Sequence, residues 1–179
     1  MALQIGHRTS IDFDFYTKTL FRQEILYRRF SEQVKDLERR QAAWGTLILK
    51  AGQVDISLFY YNYPIICPLV KTQDFDLLSL EDIAAMKLEA IIQRGIKRDF
   101  VDIYFLLRLF GLRKLFHFAE EKYGKAFNLY QALLALLYFQ DAEAEREQKR
   151  YRLIQQVAWD DVKKEIIKQA EKFKQAEVR

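Results

Sequence analysis

One cysteine, two prolines, six glycines and two histidines are spread over 179 residues. A lone thiol cannot close an intrachain disulfide, so no oxidising compartment is implied. Cys67 sits between Ile66 and Pro68 in an apolar stretch and reads as a buried structural thiol. His7 and His117 have no Cys or His partners at zinc spacing. Long apolar runs are missing too. Ala132 to Phe139 falls far short of the roughly 18 residues of a membrane span. The opening MALQIGHRTS has no apolar core of secretory type, so the chain is read as cytoplasmic. No P-loop, dinucleotide-binding glycine pattern or Ser-His-Asp arrangement is present.

Hydrophobic residues make up 50% of the chain and aromatics 15%, enough for a real core in one domain, or one domain with a helical extension. The formal net charge is +4. Basic groups gather at Arg28-Arg29, Arg39-Arg40, Lys97-Arg98, Lys149 to Arg152 and the C-terminal lysines. This suits an RNA or nucleotide partner, but acidic residues are interspersed throughout, and a solvated surface accounts for most of the charge.

In Ser10 to Tyr16, alternation places Ile11, Phe13 and Phe15 on one strand face and Ser10, Asp12 and Asp14 on the other. Phe21 to Asp36 has a helical repeat. Trp44 to Lys50 and Val54 to Tyr61 read as a hairpin turning at Ala51-Gly52-Gln53, and Asn62 to Val70, with both prolines, as irregular. Ser79-Leu80-Glu81-Asp82 resembles a capping box opening a helix to about Gln93. Further helices are expected from Lys97 to Phe110, between Gly111 and Gly124, from Phe127 to Phe139 and from Trp159 to Val178. Phe127 to Phe139, apolar nearly all round, should be deeply packed. Asp141 to Arg152 is a solvated connection or helix. The fold class is α+β: a small mixed β-sheet followed by a helical C-terminal part, with the composition changing near residue 78.

Asp12-Phe13-Asp14 is the most informative tripeptide. Carboxylates at i and i+2 of a strand point the same way and suit Mg²⁺ or Mn²⁺, hard cations that prefer oxygen. Without a cation the two acids repel each other between apolar flanks; the plain alternative is ordinary alternation on a solvated strand. The surrounding GHRTSIDFDFYT resembles the AbiEii/AbiGii-type nucleotidyltransferase toxins, a branch of the DNA-polymerase-β-like superfamily. NYPII, SLEDIAAMKLEAIIQRGIKRDFVDIYFLL and ALLYFQDAE match in order, and the likeness runs to Trp159-Asp160-Asp161-Val162. It implies a nucleotidyltransferase-like core over residues 1–78 and a helical part packed on it over residues 79–179. It implies NMP transfer from a nucleoside triphosphate to an acceptor hydroxyl, with tRNA as a candidate acceptor. The setting would be a toxin–antitoxin or phage-defence system with an antitoxin protein as partner.

One departure stands out. The family places a Gly-Gly or Gly-Ser strand-turn-helix ahead of this motif, whereas Met1-Ala2-Leu3-Gln4-Ile5-Gly6-His7-Arg8 falls within the helix after that turn. Two readings follow: a start further upstream, or a truncated, inactive member acting as a protein-binding module.

Asp55, on the second hairpin strand, which should neighbour the strand of Asp12 and Asp14, is the candidate third carboxylate for metal, against a plain exposed strand residue. Lys87 lies on the apolar helix face with Ile83 and Ile91, either snorkelling or needing a phosphate or carboxylate partner. The resemblance carries a characteristic lysine there, and acids at Asp99 and Asp102. These two lie three apart on the next helix, able to anchor Lys87, Arg94 or Arg98. Catalytic roles are therefore expected for Asp12, Asp14, Lys87 and Asp99, and substrate-binding roles for Arg8, Ser10, Arg94 and Asp102. Arg8 is a bidentate donor suited to triphosphate. Tyr60, Tyr61 and Tyr63 could stack a base, although packing of the hairpin against helices is the plainer reading.

Overall fold

A computed structural model describes residues 1–144 and 151–177. The chain divides into two compact units, Thr9–Tyr63 and Met1–Arg8 with Pro64–Arg179. The border drawn from composition near residue 78 lies inside the second.

The Thr9–Tyr63 unit is an α+β layer. Its elements are β1 (Asp12–Thr17), α2 (Gln23–Ser31), β2 (Leu37–Ala43), β3 (Thr46–Ala51) and β4 (Val54–Tyr60). The sheet order is β1-β4-β3-β2, with β1 parallel to β4 and the other pairs antiparallel. This is the expected small mixed sheet. Two turn residues join β3 to β4, and the first, Gly52, has φ 59, the left-handed region that such turns give to glycine. Leu47 and Leu49 point to one face of β3 and are fully buried.

The helix read over Phe21 to Asp36 closes at Ser31, and Asp36 takes φ 54, a left-handed turn that aspartate tolerates. The chain then enters β2, which alternation did not reveal. LERRQAA is nearly all polar or small, as suits an edge strand guarded by charge. Arg39 of this strand pairs with Glu24 of α2, and its guanidinium lies 5.2 Å from the Tyr27 ring centroid.

The second unit begins with α1 (Ala2–Ile5) and contains a two-stranded ribbon, β5 (Val70–Lys71) and β6 (Asp76–Leu77). Its helices are α3 (Leu80–Gln93), α4 (Lys97–Phe110), α5 (Leu112–Tyr123), α6 (Leu129–Leu136), α7 (Gln140–Ala144) and α8 (Trp159–Glu177), with a 3-10 turn at Gly124–Ala126. Ser79 caps α3 as expected: its Oγ accepts from the Asp82 N–H at 3.0 Å and donates to Asp82 Oδ2 at 2.8 Å. Leu88, Phe100, Ile103, Leu106, Leu115, Phe116, Leu136, Val162 and Ile166 form the core, each almost wholly shielded. Fully burying each such side chain stabilises by about 1.5–3 kcal/mol before the entropy of ordering is counted.

The helix read over Phe127 to Phe139 is shorter and more exposed than its composition suggested. It buries Ala132, Leu133 and Leu136, while Tyr130 and Leu134 face solvent at 68% and 50% exposure. Of the charged run Asp141 to Arg152, residues 145–150 lie outside the described residues, as does Val178. Among the described residues, no helix is long and apolar enough to cross a membrane.

Candidate active site

The sheet brings three carboxylates to one face. Asp12 and Asp14 alternate with Phe13 on β1, and Asp12 stands directly across from Asp55 on the parallel neighbour β4. Ser57, largely buried, stands across from Asp14 in the same way. Register partners on adjacent strands project to the same side, so Asp12, Asp14, Asp55 and Ser57 form a polar square. Asp12 and Asp55 are half-buried and Asp14 is exposed. Ser10 is exposed just ahead of the strand. Among the described residues no three Asp, Glu, His or Cys side chains are gathered into a self-sufficient metal site. Mg²⁺ does not require one: it is commonly held by one or two carboxylates plus water and substrate phosphate oxygens. Two strand-borne carboxylates fit that pattern.

The opposite face of β1 is apolar. Phe13 and Phe15 stack at 6.5 Å between centroids and remain 47% and 48% exposed.

The other unit gathers the remaining predicted residues. Asp99 and Asp102 are fully buried on α4, three residues apart. Lys87 of α3 bridges them, with Nζ 2.8 Å from Asp99 Oδ1 and 2.7 Å from Asp102 Oδ2. Arg94 forks onto Asp99 at 2.8 and 3.2 Å. Arg8 forks onto Asp102, Nε to Oδ1 at 2.7 Å and Nη2 to Oδ2 at 2.9 Å. Lys87 thus has the carboxylate partners that its apolar helix face demands, and Arg8 is engaged with a carboxylate.

Burial alone would raise both acids, but neighbouring positive charge reverses it. Lys87, with hydrogen bonds from Arg8 and His7, holds the Asp102 carboxyl far below the usual range. Lys87 and Arg94 likewise hold Asp99 down. Burial works against the Arg8 charge, yet the hydrogen bond from its guanidinium to Asp102 raises its pKa further.

Sequence reasoning missed two members of this unit. His7 is completely buried, and its Nε2 lies 2.7 Å from Asp102 Oδ1. A carboxylate can only accept, so Nε2 carries the proton, while the ring rests against Phe105 at 4.8 Å. Backbone bonds from Ile154 and Gln155 to the His7 carbonyl, at 2.8 and 3.0 Å, fix this segment. Lys122 of α5 is also buried, donating to Asp82 Oδ1 at 2.6 Å and to the Pro64 carbonyl at 2.8 Å. The only cue in sequence was a basic residue on an otherwise inward-facing helix stripe.

The model of a family described as nucleotidyl transferase AbiEii toxin, type IV TA system, matches residues 47–177. The chain belongs to the AbiEii nucleotidyl transferase toxin family. The AbiEii match includes Asp55, Lys87, Arg94, Asp99 and Asp102, while Asp12 and Asp14 precede it. The uncharacterized protein aq_aa25 of Aquifex aeolicus (strain VF5) is 34% identical over 154 residues, covering 81% of this AbiEii chain and 72% of its own length. No solved structure matches the chain significantly.

Proposed function

We propose that this AbiEii-family chain transfers a nucleoside monophosphate from an NTP to an acceptor hydroxyl, as the toxin of a type IV toxin–antitoxin pair. The observation that carries this reading is the alignment of Asp12, Asp14 and Asp55 on one sheet face. In the reaction the acceptor oxygen bonds to the α-phosphorus, the α–β bridging bond breaks, pyrophosphate leaves and the hydroxyl proton passes to solvent. Mg²⁺ or Mn²⁺ on Asp12 and Asp14, with Asp55 as an additional ligand, would neutralise phosphate charge. Ser10, just ahead of β1, would add a hydroxyl donor to the bound triphosphate.

Lys87, Arg8 and Arg94 supply positive charge for phosphates, and Asp99 and Asp102 hold those cations in fixed positions. In this cluster two carboxylates meet three cations, which favours an anionic ligand. An RNA acceptor such as tRNA, a cytoplasmic setting and an antitoxin protein as the neutralising partner complete the reading.

The test is incubation with labelled NTPs, Mg²⁺ and RNA. Label should enter RNA with the wild-type chain and fall by two orders of magnitude or more, on the order of 3 kcal/mol of transition-state stabilisation, in Asp12→Ala and Asp14→Ala. Incorporation indifferent to both substitutions would reject the mechanism.

A further inference from the structure

The polar square continues into a row of aromatic rings on the same sheet face. Tyr16 follows Asp14 by two residues on β1, a step of about 7 Å. Across from it on β4 lies Phe59, two residues beyond Ser57, and the two rings stack at 5.6 Å with 26° between their planes. Tyr61 meets Tyr16 edge-on at 5.3 Å, and Tyr63 lies a further 5.3 Å from Tyr61. The Tyr61 N–H bonds to the Thr17 carbonyl at 2.8 Å, so the row stays attached to β1 after β4 has ended.

Ring-on-ring packing explains why these side chains associate. It does not explain why Tyr16 and Tyr63 leave 38% and 41% of their surface in solvent, in line with two carboxylates. Tyr60 is excluded from the row: it packs edge-on against Trp44, and its neighbours in the chain alternate to the other face.

We infer that the Tyr16–Phe59–Tyr61–Tyr63 row is a stacking platform for the unpaired bases at the 3′ end of an RNA acceptor, leading its terminal hydroxyl towards Asp12 and Asp14. The choice of RNA acceptor rests on the nucleotidyl-transfer reading; the platform itself rests on the rings. A single nucleoside triphosphate offers one base, which one ring satisfies. A row extending away from the carboxylates for several ring spacings suits successive bases of a single strand. Every base has a π-face, so stacking of this kind is tolerant of sequence and demands that the strand be unpaired. The tyrosine hydroxyls add a polar edge that an aliphatic surface would lack.

The experiment is fluorescence anisotropy of a 5′-fluorescein ten-nucleotide RNA with the full chain in EDTA, where no transfer occurs. The single strand should bind at least tenfold more tightly than the same sequence in a blunt duplex. Tyr16→Leu and Tyr61→Leu should each weaken binding roughly tenfold, with Tyr16→Phe and Tyr61→Phe restoring it. Tyr63→Leu lies outside any strand and so leaves the sheet register untouched; it too should weaken binding.

Asp12→Asn should bind RNA like the wild type while failing to transfer. Equal binding of strand and duplex, or leucine variants that bind unchanged, would overturn the platform. Ring-dependent binding without label incorporation by the wild type would sink the transfer reading and leave the platform standing. Incorporation with ring-independent binding would do the reverse.

Discussion

Arg8 grips Asp102 through two hydrogen bonds of 2.7 and 2.9 Å across 94 positions of sequence, and the same carboxylate takes Lys87 at 2.7 Å. A wholly buried acid with this many donors organises the segment before β1 around α4. Removing it leaves an arginine and a lysine in a poorly hydrated space. Asp102→Ala is therefore expected to cost about 3–5 kcal/mol of unfolding free energy. Asp102→Asn, which keeps one acceptor oxygen but loses the charge, should fall between it and the wild type. Urea denaturation followed by circular dichroism measures this, and a loss below about 1 kcal/mol would show that the network contributes little to the fold.

The same cluster sets an acid limit. Asp99 and Asp102 have carboxyl pKa values depressed in the folded chain relative to the roughly 3.9 of an unfolded aspartate. With the folded value below the unfolded one, their stabilisation is complete above about pH 5 and is lost as pH falls through the unfolded value towards the folded one. The melting temperature should fall progressively below pH 5. Asp102→Asn should fall less steeply over the same range. Parallel curves for the two proteins would show that Asp102 does not set the acid limit.

Much of this architecture was legible because it is local. The Ser79 cap, the helix ends at Gln93 and Phe110, and the shared face of Asp12 and Asp14 follow from spacing within a few residues. Even the neighbour relation of Asp55 to the β1 aspartates followed from expecting the hairpin beside that strand. What stayed hidden depends on distant partners. β2 has no apolar alternation to betray it, since its charges serve an edge. The Tyr16 ring joins Tyr61 only once a parallel register is fixed. His7 looks like a surface residue until α4 is brought against it.

Lys122 carries a prediction about a remote residue. Its ammonium, Asp82, and the backbone N–H groups of Ile66 and Cys67 form one buried node, with Asp82 accepting at 3.1 and 3.2 Å from those amides. Asp82 stays ionised because Lys122, Ser79 and the two amides outweigh its burial. Lys122→Met keeps the aliphatic volume but removes the charge and the bond to Pro64. The chain should lose about 3 kcal/mol, as expected when one partner of a buried pair is deleted. The segment around Pro68 should also open more often. Cys67 reports on it, because burial and nearby acids hold its thiol pKa up and slow its reaction at neutral pH. Labelling with a chromogenic disulfide should accelerate several-fold in Lys122→Met. An unchanged rate would mean that the segment is held by other contacts.

Asp12 and Asp14 make the opposite prediction for stability. They lie on a half-buried to exposed face, with two like charges two residues apart and a third carboxylate across the strand pair. Without a cation these like charges repel one another, so Asp12→Asn and Asp14→Asn should leave the melting temperature unchanged or slightly raised in EDTA. Divalent cations reverse the comparison. If the pair binds Mg²⁺ or Mn²⁺ in the folded chain, saturating cation raises wild-type stability by RT ln(1 + [L]/Kd), about 1.4 kcal/mol at tenfold excess over Kd. That excess corresponds to a few degrees for a domain of this size. Both asparagine variants should lose the shift, whereas Asp102→Asn should keep it. A shift that survives in Asp12→Asn and Asp14→Asn would place the cation elsewhere and remove the basis for assigning these two carboxylates to phosphoryl chemistry.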